Sequence, residues 1–148
     1  MRLSTLLLGL ALSLAASVAA AQTEAPRAAT LKGVVGDVRT EQGQAQQAAQ
    51  PGAALGVAQR LVTGANGSAA FVTRDGTVVS VGPNSNVALS RFEFDATTQN
   101  GNFALDMLRG SVRVVTGLIA KLNPERIRIQ TPTMTVGVRG TDFIVEAF

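Results

Sequence analysis

Residues 127–148 read IRIQTPTMTVGVRGTDFIVEAF, and this stretch decides the fold class. Ile127 and Ile129 alternate with Arg128 and Gln130. After Thr131-Pro132 the alternation resumes, with Met134, Val136 and Val138 on one face and Thr133, Thr135 and Gly137 on the other. Successive side chains of a strand point to opposite faces, so a period of two with this many β-branched residues predicts a half-buried strand. Phe143-Ile144-Val145 is short and unbroken, which predicts a strand buried on both faces. Pro132 has no N–H for a ladder and marks a strand end, an edge or a break. Gly140 stands between the two patterns, where it is expected to hold a positive φ or to admit another strand closely, as at a bulge or tight corner. Asp142 and Arg139 are expected to pair locally within that corner, an interaction worth little if exposed.

Upstream the same alternation recurs between turn signals. Arg91–Phe94 puts Phe92 and Phe94 on one face, Asp95–Asn102 is a polar tip, and Phe103, Leu105 and Met107 return in register. Arg109-Gly110 is read as a turn into Ser111–Thr116. Ala69–Thr73 and Thr77–Val81 flank Asp75-Gly76, read as a two-residue hairpin turn in which Asp75 hydrogen-bonds its own backbone. Asn66-Gly67 and Gly82–Asn86 are further turns. Leu31–Val38 reads as one strand bent at Gly33 and Gly36. Thr40–Gly56 carries five Gln and reads as a long hairpin turning at Gln50-Pro51-Gly52. The one helical piece is Leu118–Leu122, stopped by Pro124, with Leu118, Ile119 and Leu122 expected to cover an open end of the β structure.

Short strands at this spacing predict an all-β domain. A two-sheet sandwich and a solenoid-like stack of hairpins both fit. The loose recurrence of a small-residue turn followed by a Val-rich strand leads to a compact, twisted two-layer β structure with solenoid character, built of many short antiparallel strands.

Residues 1–21, MRLSTLLLGLALSLAASVAAA, combine one basic residue, a Leu/Ala run and an A-x-A ending at Ala19–Ala21, the pattern of a signal peptide cut before Gln22. An uncleaved anchor is the alternative, since Leu3–Ala21 is long enough to span a bilayer. Residues 22–30 read as a disordered lead-in and 31–148 as one β domain. Cleavage leaves no membrane span and points to the periplasm.

Composition narrows the chemistry. With no Cys there is neither a disulfide nor a thiolate metal site, and with no His the commonest general base and metal ligand are missing. The ten carboxylates fall mostly at turns, and no Gly-Lys-Ser/Thr phosphate loop is present. No catalytic residue, cofactor or metal is therefore expected. The twelve Lys and Arg left after cleavage show no cluster with interleaved aromatics, which disfavours nucleic acid.

Three runs also carry a resemblance: Leu61–Leu89 (LVTGANGSAAFVTRDGTVVSVGPNSNVAL), Phe103–Gly117 (FALDMLRGSVRVVTG) and TPTMTVGVRGTDFIVE from Thr131. Together they resemble the periplasmic domain of the FecR family, which a T-P-x-x-x-x-x-V-R-G-T-x-F run closes. Here that run is Thr131, Pro132, Val138, Arg139, Gly140, Thr141 and Phe143, a structural signature. The resemblance spans Leu31 to Val145. It implies a signalling module that links an outer-membrane receptor to a sigma factor across the inner membrane. The export signal stands where the sigma-binding segment would be, and the match runs almost to Phe148, so only the β domain is carried over. A periplasmic module that binds an envelope protein or polymer is the expectation, with the Thr40–Gly56 and Asp95–Asn102 loops framing its surface. The alternative is a structural domain or fragment of a larger envelope protein without sigma-factor regulation. The oligomeric state is left open.

Overall fold

The computed structural model describes residues 27–148. The leader reading lies outside the described residues; the lead-in overlaps them only at its end, where Ala29 and Thr30 already belong to a strand. The described residues form twelve strands: β1 Ala29–Val35, β2 Val38–Gln42, β3 Ala45–Ala48, β4 Ala54–Leu55, β5 Arg60–Thr63, β6 Ser68–Thr73, β7 Val78–Val81, β8 Asn86–Phe94, β9 Gly101–Val115, β10 Ile127–Gln130, β11 Thr135–Gly137 and β12 Asp142–Ala147. One helix, α1 Leu118–Leu122, and a 3-10 turn at Pro124–Arg126 separate β9 from β10. All-β is the correct class.

The strands make one curled sheet with two arms that share β9. In the first arm the order is β4-β1-β6-β7-β9-β12, and in the second it is β3-β2-β5-β8-β9-β10-β11. Residues 101–109 of β9 pair with β8, and residues 112–115 pair with β7. All pairings are antiparallel except β9 with β10, which is parallel because α1 and the 3-10 turn carry the chain back before β10 begins.

A row of corners folds one arm over the other. The chain changes arms at Gly36-Asp37, at Gly64–Gly67, at Gly82–Ser85 and inside β9 at Gly110. Neighbouring corners are bonded together: Gly64 N donates to Asp37 O at 2.9 Å, Asn84 N to Gly64 O at 3.0 Å, and Gly82 N to Ser111 O at 2.9 Å. This stacking is the solenoid-like element of the fold. Gly36 (φ +68°) and Gly110 (φ +103°) hold left-handed conformations that a side chain opposes. A Cβ would in addition drive into the Asn66 carbonyl at Gly36 and into the Ser85 side chain at Gly110.

Polar groups buried by the corners are satisfied, as burial demands. Thr63 donates to Gly82 O at 2.6 Å and accepts from Ser85 N at 3.0 Å, while the Ser85 hydroxyl accepts from Ser111 N at 3.1 Å. Inside the curl, both arms contribute fully buried side chains to one core. Leu31, Phe71 and Val79 come from the first arm; Leu61, Leu89, Phe103 and Ile129 come from the second. Phe92 and Phe103 face each other as a T-shaped pair with centroids 6.5 Å apart.

Several expectations are corrected. Leu31–Val38 is not one strand: Gly36-Asp37 is a corner between β1 and β2, which never pair. The Gln-rich hairpin turns at Gly43-Gln44; Gln50-Pro51-Gly52 instead leads across to β4, with Gly52 N donating to Leu31 O at 2.7 Å. Arg109-Gly110 is no hairpin turn, because β9 runs through it as a single bent strand. Phe143–Val145 is not buried on both faces. Among the described residues β12 is an edge strand paired only with β9 and its outward face is uncovered, so Ile144 is 65% exposed while Val145 points inward. Met134 is likewise exposed, since Thr131–Met134 forms the β10–β11 turn, closed by Thr131 N to Met134 O at 2.8 Å. Of the helical residues only Ile119 is fully buried; Leu118 is half-buried and Leu122 exposed.

Candidate functional site

The signature residues close the curled sheet but do not converge on one point. Thr131 and Pro132 make the β10–β11 turn, where the Thr131 hydroxyl accepts from Met134 N at 3.2 Å. Val138 enters the core and Phe143 packs half-buried against it. The Thr141 carbonyl accepts from Thr116 N at 2.9 Å and ties the return segment to the end of β9. Gly140 is exposed, its φ lies outside the left-handed region, and a Cβ there would meet nothing within 4 Å. The chain bends at Gly140 and Thr141, but nothing there requires a glycine; the positive φ and close approach expected at Gly140 occur at Gly110 instead. Asp142 pairs with Arg113 across the β12–β9 ladder rather than with Arg139, through Nε–Oδ1 at 2.9 Å and Nη2–Oδ2 at 2.5 Å. That bidentate hydrogen bonding, and then the guanidinium charge, hold the Asp142 carboxyl below its ordinary value.

Asp75 is more than a turn former. It is 2% exposed, and its carboxylate accepts from the Thr73 hydroxyl, the Thr77 hydroxyl at 2.8 Å, Thr77 N at 3.3 Å and Ile119 N at 3.3 Å. Its own carbonyl takes Leu118 N at 2.9 Å. The hairpin turn thereby fastens the start of α1. All its acceptor sites go to structure, so the geometry gives Asp75 no free role in chemistry.

Two adjoining hollows lie on the outer face of the second arm. Arg91 of β8, Asn102 of β9, and Arg126, Arg128 and Gln130 line a groove of about 570 Å³. It continues, across Arg128 and Glu125, into a second hollow of about 720 Å³ bounded by Thr135, Gly137 and Arg139. Alternation explains the placement: Ile127 and Ile129 of β10 point into the core, so Arg128 and Gln130 point out. Two of the four arginines are engaged. Arg91 meets Glu93 at 3.3 Å, and Arg126 donates to Asn102 Oδ1 at 3.2 Å. The Asn102 amide, first, and Arg91 hold the Glu93 carboxyl below its ordinary value. Among the described residues neither Arg128 nor Arg139 has a carboxylate within 4.0 Å. A basic cluster thus exists that local spacing does not reveal, because the parallel β9–β10 pairing brings together arginines far apart in the chain. Among the described residues no three acidic side chains gather as metal ligands.

The FecR protein family model matches residues 59–148, more than half of the chain. The chain belongs to the FecR family. The FecR match takes in β5 to β12 and every residue lining the arginine groove; β1–β4 precede it, and β1, β2 and β4 share its core. No curated protein and no solved structure is matched by the chain.

Proposed function

We propose that this FecR-family protein is an exported, non-catalytic module that binds another protein in the periplasm. One observation carries the reading: Arg128 and Arg139 stand without acidic partners beside an open hollow, where a bound partner would complete their pairing. Both side chains are exposed, and charge held at a surface steers the association of an oppositely charged partner. A sequence with neither His nor Cys supports binding over catalysis. Export rests on the A-x-A ending at Ala19–Ala21 and on the family's association with the cell envelope. Among the described residues no helix is long and apolar enough to cross a membrane.

A photo-crosslinking residue at Thr135 or Gln130, introduced in living cells, tests the reading. Expected is one covalent partner from the envelope, captured by a mature chain whose mass begins at Gln22. A chain that keeps residues 1–21 in the inner membrane, or one that crosslinks to nothing from any surface position, rejects it.

A further inference from the structure

We infer that the outer face of the second arm takes two carboxylates of the partner protein, one in each hollow, separated by about two strand spacings. This rests on the binding reading above and specifies what the partner presents. Arg91 of β8 lies opposite Ala104 of β9, Ala104 opposite Arg128 of β10, and Arg128 opposite Gly137 of β11. Residues opposite one another in a sheet share a face, so these four positions form one row across the strands. Their neighbours along the chain, Phe103 and Leu105 in β9 and Ile127 and Ile129 in β10, are buried. The row therefore faces outward.

Within the row an arginine alternates with a small residue, and that alternation shapes the hollows. Ala104 is the floor of the first, between Arg91 and Arg128. The second lies over Gly137, with Arg128 and Arg139 among its walls. Arg128 is the ridge common to both. A longer side chain at 104 would fill the first hollow without touching its charge.

Charge selects the occupant. Arg91, Arg126, Arg128 and Arg139 line the two hollows against one carboxylate, Glu125. Glu93 offsets Arg91, whereas Asn102 engages Arg126 without neutralising it. Asp106, one row away, is turned to Ser90, whose hydroxyl donates to it at 3.0 Å. A cationic surplus remains around Arg128, and a guanidinium meets a carboxylate through two parallel N–H donors. Spacing narrows the choice further. Ala104 and Gly137 stand two strands apart, about 10 Å at the usual distance between strands. Alternate residues of an extended segment are only about 7 Å apart. Residues seven apart on a helix are separated by about 10.5 Å and lie on nearly one face. The row is thus matched to a pair of acids at the longer interval.

The test titrates nitrogen-15-labelled protein, made from the full coding sequence, with helical alanine- and glutamine-rich peptides carrying two glutamates. In one peptide the glutamates are seven residues apart; in the other they are five apart, which puts the same charge on divergent faces. Binding is followed at the arginine Nε–Hε signals. The seven-apart peptide should bind at least about fivefold more tightly and shift Arg91, Arg128 and Arg139. Arg128→Ala, which removes a wall from both hollows, should weaken it about tenfold, and Arg91→Ala or Arg139→Ala about threefold. Ala104→Leu should reduce the seven-apart peptide to the affinity of the five-apart one. Circular dichroism confirms that each variant folds; if Ala104→Leu does not, the ranking of the three arginine variants decides. Equal binding of the two peptides, shifts confined to other residues, or Arg128→Ala binding no more weakly than Arg139→Ala overturns the inference. So does dextran sulfate that binds the same arginines more tightly than either peptide, which would indicate an anionic polymer. A living-cell crosslink that forms although the peptide series fails leaves the binding module standing and removes only the two-hollow reading.

Discussion

Gly110 lies where β9 leaves one arm of the sheet for the other, and both its positive φ and the Ser85 side chain against it require glycine. Gly110→Val should cost about 2–4 kcal/mol through strain and displaced neighbours, read from urea unfolding. Gly140→Ala, in open space at an ordinary φ, should stay within about 0.5 kcal/mol of the parent. The contrast shows what the sequence concealed. Both glycines follow an arginine and stand between β-rich runs, and nothing local separates a strand that bends through its glycine from a loop that merely includes one. Asp75 was hidden for a similar reason: Asp-Gly signals a turn, but burial of its carboxylate depends on α1 arriving from more than forty residues away. Asp75→Ala leaves buried donors at Thr77 and Ile119 unpaired, at an expected cost of about 2–4 kcal/mol. Amide exchange at Leu118 and Ile119 should quicken most, which distinguishes a lost anchor from general loosening.

At the scale of single elements, alternation made the interior faces of β8, β9 and β10 legible: Phe92, Phe103, Leu105, Met107, Ile127 and Ile129 are all buried as read. Pairing partners were not legible, since alternation says which face is inward and nothing about which strand lies alongside. That is why the local pattern alone points to an interior strand at β12 and to Arg139 as the partner of Asp142, and neither holds. The true pair predicts a pH dependence. Asp142 in the folded protein ionises below its ordinary value because of Arg113, so its contribution is present above the ordinary carboxylate range. It is lost as pH falls through the depressed folded value. The pair is solvent-exposed, so its effect is small. Carbon-detected titration should place Asp142 below an unpaired aspartate in the parent and return it upward in Arg113→Ala. The melting difference between the two proteins should shrink to nothing in acid.

For the whole molecule, the reading of an all-β domain with solenoid character was sound, because turn spacing reports strand length directly. The shared β9 could not be foreseen, as its two halves look like separate strands. The family match begins at residue 59, but β1, β2 and β4 put Ala29, Leu31, Val38 and Leu55 into the common core. A fragment covering 59–148 alone would expose the facing sides of Leu61 and Phe71. We expect it to bind the dye ANS and to melt without a cooperative transition, whereas the longer chain melts sharply and binds none.

The fifteen-residue β9 also sets an order of events in time. Its partner β8 is joined to it by the short Asp95–Asn100 tip, organised by Thr97 N and Thr98 N donating to Asp95 Oδ1 at 2.8 and 3.2 Å. β12 reaches it only after α1, β10 and β11 have been laid down, and closing that longer loop costs about 1 kcal/mol more in chain entropy. We therefore expect the β8–β9 hairpin to form first and the β10–β12 segment to assemble late. Phe103→Leu should slow refolding, while Val145→Ala should leave that rate nearly unchanged and speed unfolding instead. The outer surface of β10 and β11 would then form last, after the body that supports it has already closed.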